Sequence, residues 1–353
     1  MEYDIIVPLE ESKIAMRELW KDTFDDTDSY LDIFFNNYFT PRLCRCAMRE
    51  SSLAAMLLGV SYDFCSELGR LRGLYLCGLS TRSEYRKQGL MSRLIEDIID
   101  DAEKSGEFDF VFLIPADDHL REYYKKFGFY DSSDIERMMV SREIYESLRR
   151  ISSTPDYALC DDIRIISDTE ELKDLMRSRC GNQESLLTIC RKYESTYHRN
   201  PGDISITHTH SDWAILLEEK IESGGVLIMR TPGSNADATV MMIQEDGEVI
   251  QLGGKRSDMS KLLADIICKK CDDTQISSAD IASAHVPIIC RREKYGMVRF
   301  LPRFWQKSQG FENRIFESAS TIPQKFAKMN FEEKSKILAQ FFSRYLHFRL
   351  MLD

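Results

Sequence analysis

Between residues 74 and 102 the apolar positions change from the period of a strand to that of a helix. Leu74 and Leu76 alternate with other residues as in a strand, and the next leucine is Leu79. The break in alternation at Gly78 indicates a β-bulge. Residues 86–89 (Arg-Lys-Gln-Gly) form a polar loop, and residues 90–102 then have apolar residues at helical spacing. A basic loop with glycine at a helix N-terminus suits phosphate, because the first-turn N–H groups there are free.

The rest of the first half predicts an alternation of helices and strands. Helices are expected at 10–22, 29–39, 90–104, 118–126 and 143–151. Strands are expected at 42–50, 52–64, 73–80 and 108–114, followed by a last pair through Phe129 and 136–141. This order predicts an α/β fold with a mixed sheet, in which a central parallel pair is flanked by helices.

The second half repeats such an order after the segment 152–156 (Ser-Ser-Thr-Pro-Asp), which is the best boundary signal. Its predicted helices are 170–179, 183–197 and 259–271, and its predicted strands are 225–230, 238–244, 247–252 and 284–290. A final helix is expected at 331–350. We therefore predict one domain at 1–151, a second at 156–305 and a C-terminal helical extension at 306–353.

Two motifs of the first half resemble a known family. Residues 86–91 (Arg-Lys-Gln-Gly-Leu-Met) resemble the acyl-CoA pyrophosphate loop of the GNAT superfamily of N-acetyltransferases, Arg/Gln-x-x-Gly-x-Gly/Ala. Residues 124–129 (Tyr-Lys-Lys-Phe-Gly-Phe) resemble the superfamily's later Tyr-x-x-x-Gly-Phe element. Met91 departs from the usual Gly or Ala and is more in keeping with the enhanced-intracellular-survival subgroup.

That subgroup has tandem acetyltransferase-like domains, which implies tandem GNAT-like domains here as well. The corresponding loop of the second half, residues 253–259 (Gly-Gly-Lys-Arg-Ser-Asp-Met), lacks the family spacing. The resemblance therefore implies that the second domain is a degenerate copy.

The resemblance also implies how acetyl-CoA is held. The backbone of Leu79 and Thr81 would bond the pantetheine arm, and the pyrophosphate would be surrounded by Arg86, Lys87, Gly89, Leu90 and Met91. The alternative is that Arg86 and Lys87 are a solvated face and Gly89 is only a turn.

Tyr124 is the candidate general acid, which would protonate the CoA thiolate as it leaves. A phenol with a pKa of about 10 suits a thiolate of comparable basicity. Its neighbour Tyr123 is a competitor, since adjacent helical residues point about 100° apart and only one can reach the thiol. The motif spacing selects Tyr124. The alternative is a core aromatic residue whose hydroxyl is satisfied by backbone.

A general base is harder to identify, because residues 73–81 contain no carboxylate. In the subgroup the chain's own terminal carboxylate enters the active site, which by analogy makes Asp353 the candidate. A solvent-exposed tail is the alternative.

Charge and cysteine usage limit the function classes. The net charge is −11, and residues 1–155 carry −9 of it, with 20 basic and 29 acidic residues. Such an acidic half disfavours nucleic acid and is compatible with a cationic substrate. Ten cysteines without framework spacing, no signal peptide and no apolar run near ~20 residues predict a cytoplasmic protein.

No set of residues has the spacing of a metal site. Cys44 and Cys46 alternate along a predicted strand and indicate core thiols, and Cys268 and Cys271 lack a second pair of ligands. The pair His208 and His210 (His-Thr-His) is interpreted as part of a polar surface strand.

The sequence thus predicts an acetyl-CoA-dependent N-acetyltransferase in which a primary amine attacks the thioester directly. The expected partners are acetyl-CoA and a small amine, polyamine-like or an aminosugar, with no metal, nucleic acid or membrane; a homo-oligomer is left open. Two alternatives stand beside it: a non-catalytic CoA-binding regulatory module, and an aminoacyl-tRNA-dependent transferase of the same fold.

Overall fold

The computed structural model describes residues 2–24, 26–66, 68–131, 134–152, 162–177, 185–195, 204–230, 238–271, 288–308, 329–330, 333, 337 and 346–347. The strands of these residues are β1 (Asp4–Ile6), β2 (Arg45–Arg49), β3 (Ser52–Ser66), β4 (Gly69–Thr81), β5 (Phe110–Leu113), β6 (Tyr130–Asp131), β7 (Asp134–Met139), β8 (Ile163–Ile166), β9 (Ile204–Thr207), β10 (Val226–Arg230), β11 (Thr239–Ile243), β12 (Glu248–Gly253), β13 (Ile289–Lys294), β14 (Met297–Phe300) and β15 (Leu346–His347). The helices are α1 (Lys13–Thr23), α2 (Asp28–Asn37), α3 (Leu90–Ser105), α4 (Asp118–Lys125), α5 (Arg142–Ser152), α6 (Thr169–Arg177), α7 (Leu186–Glu194), α8 (His210–Glu222), α9 (Arg256–Cys271) and α10 (Pro302–Ser308).

These elements form two compact units, and neither unit is continuous in sequence. The first contains the described residues of 1–135, 197–207 and 294–353, and the second those of 136–196 and 208–293. The limits of the units therefore do not coincide with the predicted boundaries at residues 151 and 305. The chain leaves the first unit within β7, returns to it for the segment that contains β9, and returns again before β14.

The first unit contains a mixed sheet in the order β1-β2-β3-β4-β5-β14-β6, with β9 paired to β3 and β15 to β9. β4 and β5 form the predicted central parallel pair. Helix α3 begins after Gly89 and ends before Gly106, and both glycines are left-handed, with φ of 75° and 61°. Its apolar face is buried as predicted, with Leu90, Leu94, Ile95, Ile98, Ile99 and Ala102 in the core.

The predicted strand pair through Phe129 and 136–141 is wrong. β6 pairs with β14, whereas β7 pairs with β12 of the other sheet. β14 lies between β5 and β6 because every residue of β5 is buried, so that the backbone N–H and C=O groups on that edge need a strand partner. Met297, Val298 and Phe300 of β14 are buried beside β5, whereas both residues of β6 are half-exposed.

The second unit contains a six-stranded sheet in the order β13-β7-β12-β11-β10-β8. Its pairs β7·β12, β12·β11, β11·β10 and β10·β8 are antiparallel. Apolar residues of α5 and α9, including Leu148 and Leu262, pack against it. The strands predicted at 225–230, 238–244 and 247–252 are confirmed to within two residues.

Helix α8 was not predicted, and the interpretation of His208 and His210 as part of a surface strand is wrong. His208 is buried, and its Nδ1 hydrogen-bonds the Glu194 carboxylate. His210 is the first residue of α8. Thr209 and Asp212 form a capping box in which each side chain bonds the other residue's backbone N–H, and this starts the helix.

The core thiols Cys44 and Cys46 are buried, and burial raises their pKa values to about 11 and about 12.

The predicted C-terminal helix at 331–350 falls largely outside the described residues. Within it, Leu346 and His347 form β15, which corrects the prediction at that point. Residues 284–287 of the predicted strand 284–290 also lie outside the described part. None of the helices in the described residues combines the length and apolar character needed to cross a bilayer.

Candidate active site

β4 and β5 run parallel for three residues and then separate. Pairing joins residues 73–75 to residues 110–112, while β4 continues as far as Thr81. On the β5 side, therefore, no described strand pairs with β4 beyond Tyr75. An open strand edge presents backbone N–H and C=O groups that can bond an extended ligand.

A β-bulge interrupts β4 within this open stretch, as predicted. The register against β3 shifts between Met56 and Leu58, so that Gly78 and Leu79 together oppose one residue of β3. Gly78 has a φ of 57°, and a Cβ atom there would lie 2.5 Å from the Trp20 ring of α1. Both the backbone conformation and the close approach of the indole therefore require glycine.

A cleft with a volume of about 630 Å³ opens beside the bulge. This volume lies within the range of about 300–1,000 Å³ that is common for small-molecule sites. The cleft is lined by strands β4 and β5, helix α4, the end of α1, the start of α2 and described residues of the loop between these two helices. The lining residues are Trp20, Thr23, Phe24, Asp26, Tyr30, Tyr75, Leu76, Cys77, Gly78, Leu79, Leu113, Ile114, Ala116, Leu120 and Tyr124.

Tyr124 lines this cleft from α4, and it is the predicted general acid. Its side chain is only 7% exposed, and its hydroxyl has no hydrogen bond to another described residue. Burial, the neighbouring Tyr123 and the Asp117 carboxylate raise the pKa of the Tyr124 phenol above its ordinary value. The phenol is therefore kept in its protonated form at neutral pH.

Tyr123, the competitor, is engaged elsewhere. Its hydroxyl lies 3.0 Å from the Ser92 Oγ on α3, and it is absent from the cleft lining. Its ring packs against Phe127 at a centroid distance of 5.2 Å. The two adjacent tyrosines thus point to different surroundings, as the geometry of a helix requires.

Asp26 is a cleft residue that was not singled out from the sequence. The indole Nε1 of Trp20 donates a 2.7 Å hydrogen bond to its Oδ2. The acidic charge of residues 1–155 was compatible with a cationic substrate, but composition alone could not show which carboxylate faces the cleft. Beside it, the hydroxyls of Thr23 and Ser80 share a hydrogen bond that ties α1 to β4 just after the bulge.

The predicted phosphate loop lies at the start of α3. Gly89 is the N-cap, so no side chain caps the helix, and the first turn contains no acidic residue. The N–H of Arg93 bonds to the Gly89 carbonyl, which leaves the N–H groups of the preceding first-turn residues outside the helical ladder. A Cβ at Gly89 would meet no atom within 4 Å. This helix end is open to an anion.

The side chains of the predicted loop residues differ in their surroundings. Arg86 and Lys87 are exposed, and the Arg86 Nε donates a 3.1 Å hydrogen bond to the Thr81 carbonyl. Leu90 is buried in the core, whereas Met91 and Leu79 are partly buried against that core. A ligand at this loop would therefore meet the backbone of Leu90 rather than its side chain.

The corresponding loop of the second unit is different. Gly254, with a φ of 79°, lies between β12 and α9. The first turn of α9 contains the carboxylate of Asp258, whereas that of α3 contains no acid. A carboxylate there disfavours a second anion, because the two negative charges repel.

Asp353, the predicted general base, lies outside the described residues. The nearest described segment is β15, which pairs in parallel with β9. Within the described residues, no group of three or more His, Cys, Asp or Glu side chains is placed to hold a metal ion.

Comparisons with known proteins relate the first unit to one family. Residues 13–129, from α1 to the end of the Tyr-x-x-x-Gly-Phe motif, match the profile of the acetyltransferase (GNAT) family. A GCN5-related N-acetyltransferase from Kribbella flavida has a similar fold, with a TM-score of 0.51, 12% identity, and coverage of 85% of this chain and 71% of its own.

A probable N-acyltransferase from Enterococcus faecalis is similar at a TM-score of 0.50 and 10% identity, with coverage of 87% of this chain and 74% of its own. No curated protein matches the sequence. At these low identities the solved structures show similarity of fold alone. The family profile covers only residues of the first unit. Residues 13–129 of the chain are therefore similar to the acetyltransferase domain of the GNAT family.

Proposed function

We propose that the protein transfers the acetyl group of acetyl-CoA to a primary amine. The observation that carries the proposal is the open, bulged edge of β4, which lies in the same cleft as the Tyr124 side chain. At the end of this strand, α3 presents an uncapped N-terminus after a basic loop. A substrate that bears a thioester, an amide-containing arm and a pyrophosphate would use Tyr124, the edge of β4 and the N-terminus of α3, respectively.

In this proposal the backbone of β4 holds the pantetheine arm. The N–H and C=O groups of Leu79 and Thr81 bond its amides as a further strand would. The first-turn N–H groups of α3, from Leu90 and Met91, bind the pyrophosphate together with the N-cap Gly89, and Arg86 and Lys87 add positive charge. The N–H groups at the bulge polarise the thioester carbonyl.

The reaction is a direct transfer without an acyl-enzyme. The amine nitrogen attacks the thioester carbonyl carbon, a C–N bond forms, and the C–S bond breaks to release the CoA thiolate. The Tyr124 phenol donates its proton to the sulfur. Its raised pKa is matched by that of the thiolate, since both anions are disfavoured in the same apolar cleft.

The amine must lose a proton before or during attack. An alkylammonium with a pKa of about 10.4 costs about 4–5 kcal/mol to be neutral at pH 7. We assign this proton to the terminal carboxylate of Asp353, with the alternative that water accepts it. Asp26 is the described carboxylate of the cleft, and it attracts the ammonium form.

We propose further that the second unit is a GNAT-like copy without a cofactor loop, as in tandem members of the enhanced-intracellular-survival subgroup. Its support is the strand β12, the glycine loop and the helix α9 in the order of β4, loop and α3. Asp258 in the first turn of α9 argues against a second pyrophosphate site.

The test is a calorimetric titration of the full chain with acetyl-CoA, followed by an assay of amine-dependent CoA release with a thiol reagent. Micromolar binding and release of CoA that depends on an added amine would support the proposal. A folded protein that binds no acetyl-CoA would contradict it. Binding without release for any amine would favour a CoA-binding regulatory module.

A further inference from the structure

The two walls of the cleft differ in chemistry. β4 and β5 provide backbone edges, aliphatic side chains and the Tyr75 ring, whereas the lining residues from the end of α1 to the start of α2 (Trp20, Thr23, Phe24, Asp26 and Tyr30) provide three aromatic side chains and one carboxylate. The strand wall suits the thioester arm that the proposed function requires. The helical wall is therefore left for the acceptor.

Asp26 is the one Asp or Glu among the described residues that line the cleft, which also include no Lys or Arg. Its carboxylate is oriented by the Trp20 indole, which donates to Oδ2 at 2.7 Å. The other oxygen, Oδ1, has no hydrogen bond to another described residue. A half-buried carboxylate with one oxygen held and one oxygen open is suited to a single ammonium group.

Two acidic residues of α2 near Asp26 are neutralised by cations of α1. Asp28 is paired with Arg17 at 3.0 Å and with Lys21 at 2.5 Å, and Asp32 is paired with Arg17 at 2.9 Å. The hydrogen bonds from Lys21 and Arg17 lower the pKa of Asp28. These carboxylates therefore do not offer the cleft further negative charge.

The aromatic residues of the helical wall are fixed by mutual packing. The Trp20 ring lies 5.5 Å from that of Phe24 and 6.4 Å from that of Tyr30. Trp20 and Tyr30 are buried. On the strand side, Tyr75 packs against Phe112 at 5.2 Å. Such a wall stabilises a ligand in proportion to the apolar surface that the ligand buries against it.

We infer that the acceptor is a monoamine carried on an aromatic or similarly flat apolar group, such as an arylalkylamine. This inference rests on the proposed function and narrows it. A polyamine or an aminosugar would bring several ammonium groups into a cleft where the described residues offer one carboxylate. Each additional charge would lose hydration without a partner in the cleft, which disfavours binding.

The test compares kcat/KM for phenethylamine and tryptamine with those for spermidine and kanamycin, at saturating acetyl-CoA. We expect the aromatic monoamines to be favoured by about tenfold or more, which corresponds to one unpaired charge that is partly desolvated. Equal or better turnover of spermidine or kanamycin would overturn the inference while leaving the acetyltransferase proposal intact.

The variant Asp26→Asn tests the carboxylate. Asparagine keeps an oxygen that can accept the Trp20 hydrogen bond, so that the charge is removed while the indole stays in place. The KM for phenethylamine should rise about tenfold or more, with an unchanged Kd for acetyl-CoA. The matched control is Asp28→Asn, which removes a paired carboxylate outside the cleft lining and should leave the KM unchanged.

Two further outcomes separate the inference from the proposed function. If Asp26→Asn and Asp28→Asn raise the KM equally, the effect comes from the net charge of this region. The inference that Asp26 binds the ammonium group would then be wrong. If the wild type binds no acetyl-CoA in calorimetry, the acetyltransferase proposal itself fails, whatever the amine. Turnover of no amine by a protein that binds acetyl-CoA would overturn the inferred acceptor class.

Discussion

The Tyr123 hydroxyl lies 3.0 Å from the Ser92 Oγ, whereas the side chain of the next residue, Tyr124, lines the cleft. Two identical side chains one residue apart thus have different partners. Since α4 turns by about 100° per residue, one tyrosine packs toward α3 and the other faces the separated strands. This pair offers a matched comparison for the proposed general acid.

The substitution Tyr124→Phe should reduce kcat by about 10²-fold or more, because it removes the only proton donor proposed for the leaving thiolate. The Kd for acetyl-CoA should change little, since the ring and its packing remain. Tyr123→Phe is the control, and its kcat should stay close to wild type. Steady-state rates of CoA release and calorimetric titrations measure both quantities. Equal loss in the two variants would contradict the assignment.

The pH dependence of the same residue follows from its pKa. Burial raises the pKa of Tyr124 above the ordinary phenol value, so the acid form persists to higher pH and its contribution is lost only above that raised pKa. The ratio of wild-type to Tyr124→Phe kcat should therefore stay constant from pH 7 to about pH 10. The ratio cancels the ionisation of the amine. A ratio that has dropped to about half its neutral-pH value at pH 10 would show an unshifted phenol.

The acetyl-CoA loop can be tested with two glycines of one helix. Gly89 and Gly106 flank α3 with φ of 75° and 61°, and a Cβ at either would meet no atom within 4 Å. A tryptophan at either position therefore costs a similar strain of about 1–3 kcal/mol. Only Gly89→Trp should block the pyrophosphate and raise the Kd for acetyl-CoA about 30-fold or more.

The control Gly106→Trp should bind acetyl-CoA as the wild type does, and calorimetry compares the two directly. Thermal unfolding of both variants checks that their losses of stability are comparable. Wild-type affinity in Gly89→Trp would show that the loop is only a turn with a solvated basic face.

The bulge is tested by Gly78→Ala. A Cβ at this position would lie 2.5 Å from the Trp20 ring, so the indole or the bulge must shift. Because the bulge aims its N–H groups at the proposed thioester, kcat should fall about tenfold or more. Gly69→Ala is the control, since Gly69 has a φ of 89° at the start of the same strand and open space around it. Similar kcat values in the two variants, with both folded by circular dichroism, would remove the bulge from the mechanism.

Local patterns predicted the elements that form the cleft. The break at Gly78, the loop before α3 and the apolar face of that helix are short-range features, and each has a direct physical cause in backbone freedom or burial. The family resemblance then selected Tyr124 over Tyr123, and the structure places Tyr124 in the cleft. Asp26 could not be selected from sequence, because its position depends on the packing of Trp20 against β4.

Long-range pairing could not be predicted. The insertion of β14 between β5 and β6 joins residues more than 160 positions apart, and no local pattern specifies such a partner. The missed helix α8 is a different case. Its sequence contains the capping residues Thr209 and Asp212, followed by apolar residues at helical spacing, and this pattern indicates a helix. The pattern was missed because His208 was interpreted as part of a surface strand.

The role proposed for Asp353 is tested at the C-terminus. β15 is parallel to β9, which is antiparallel to residues 63–65 of β3. β15 therefore points toward the part of β3 where Leu58 pairs with Cys77 beside the bulge. Asp353 follows His347 by six residues, which can span about 20 Å when extended. Seven strand residues separate the level of Cys65 from that of Leu58, or about 23 Å.

An extended tail of six residues thus ends about 3 Å short of that level along the strand direction, so the role of the carboxylate is decided by the tag and not by this distance. A C-terminal tag, which converts that carboxylate into an amide within a longer chain, should lower kcat about 10²-fold, the scale of lost general base catalysis. An N-terminal tag of the same sequence is the control and should leave kcat unchanged. Equal kinetics of the two tagged proteins would assign the proton to water and leave residues 348–353 without a part in the reaction.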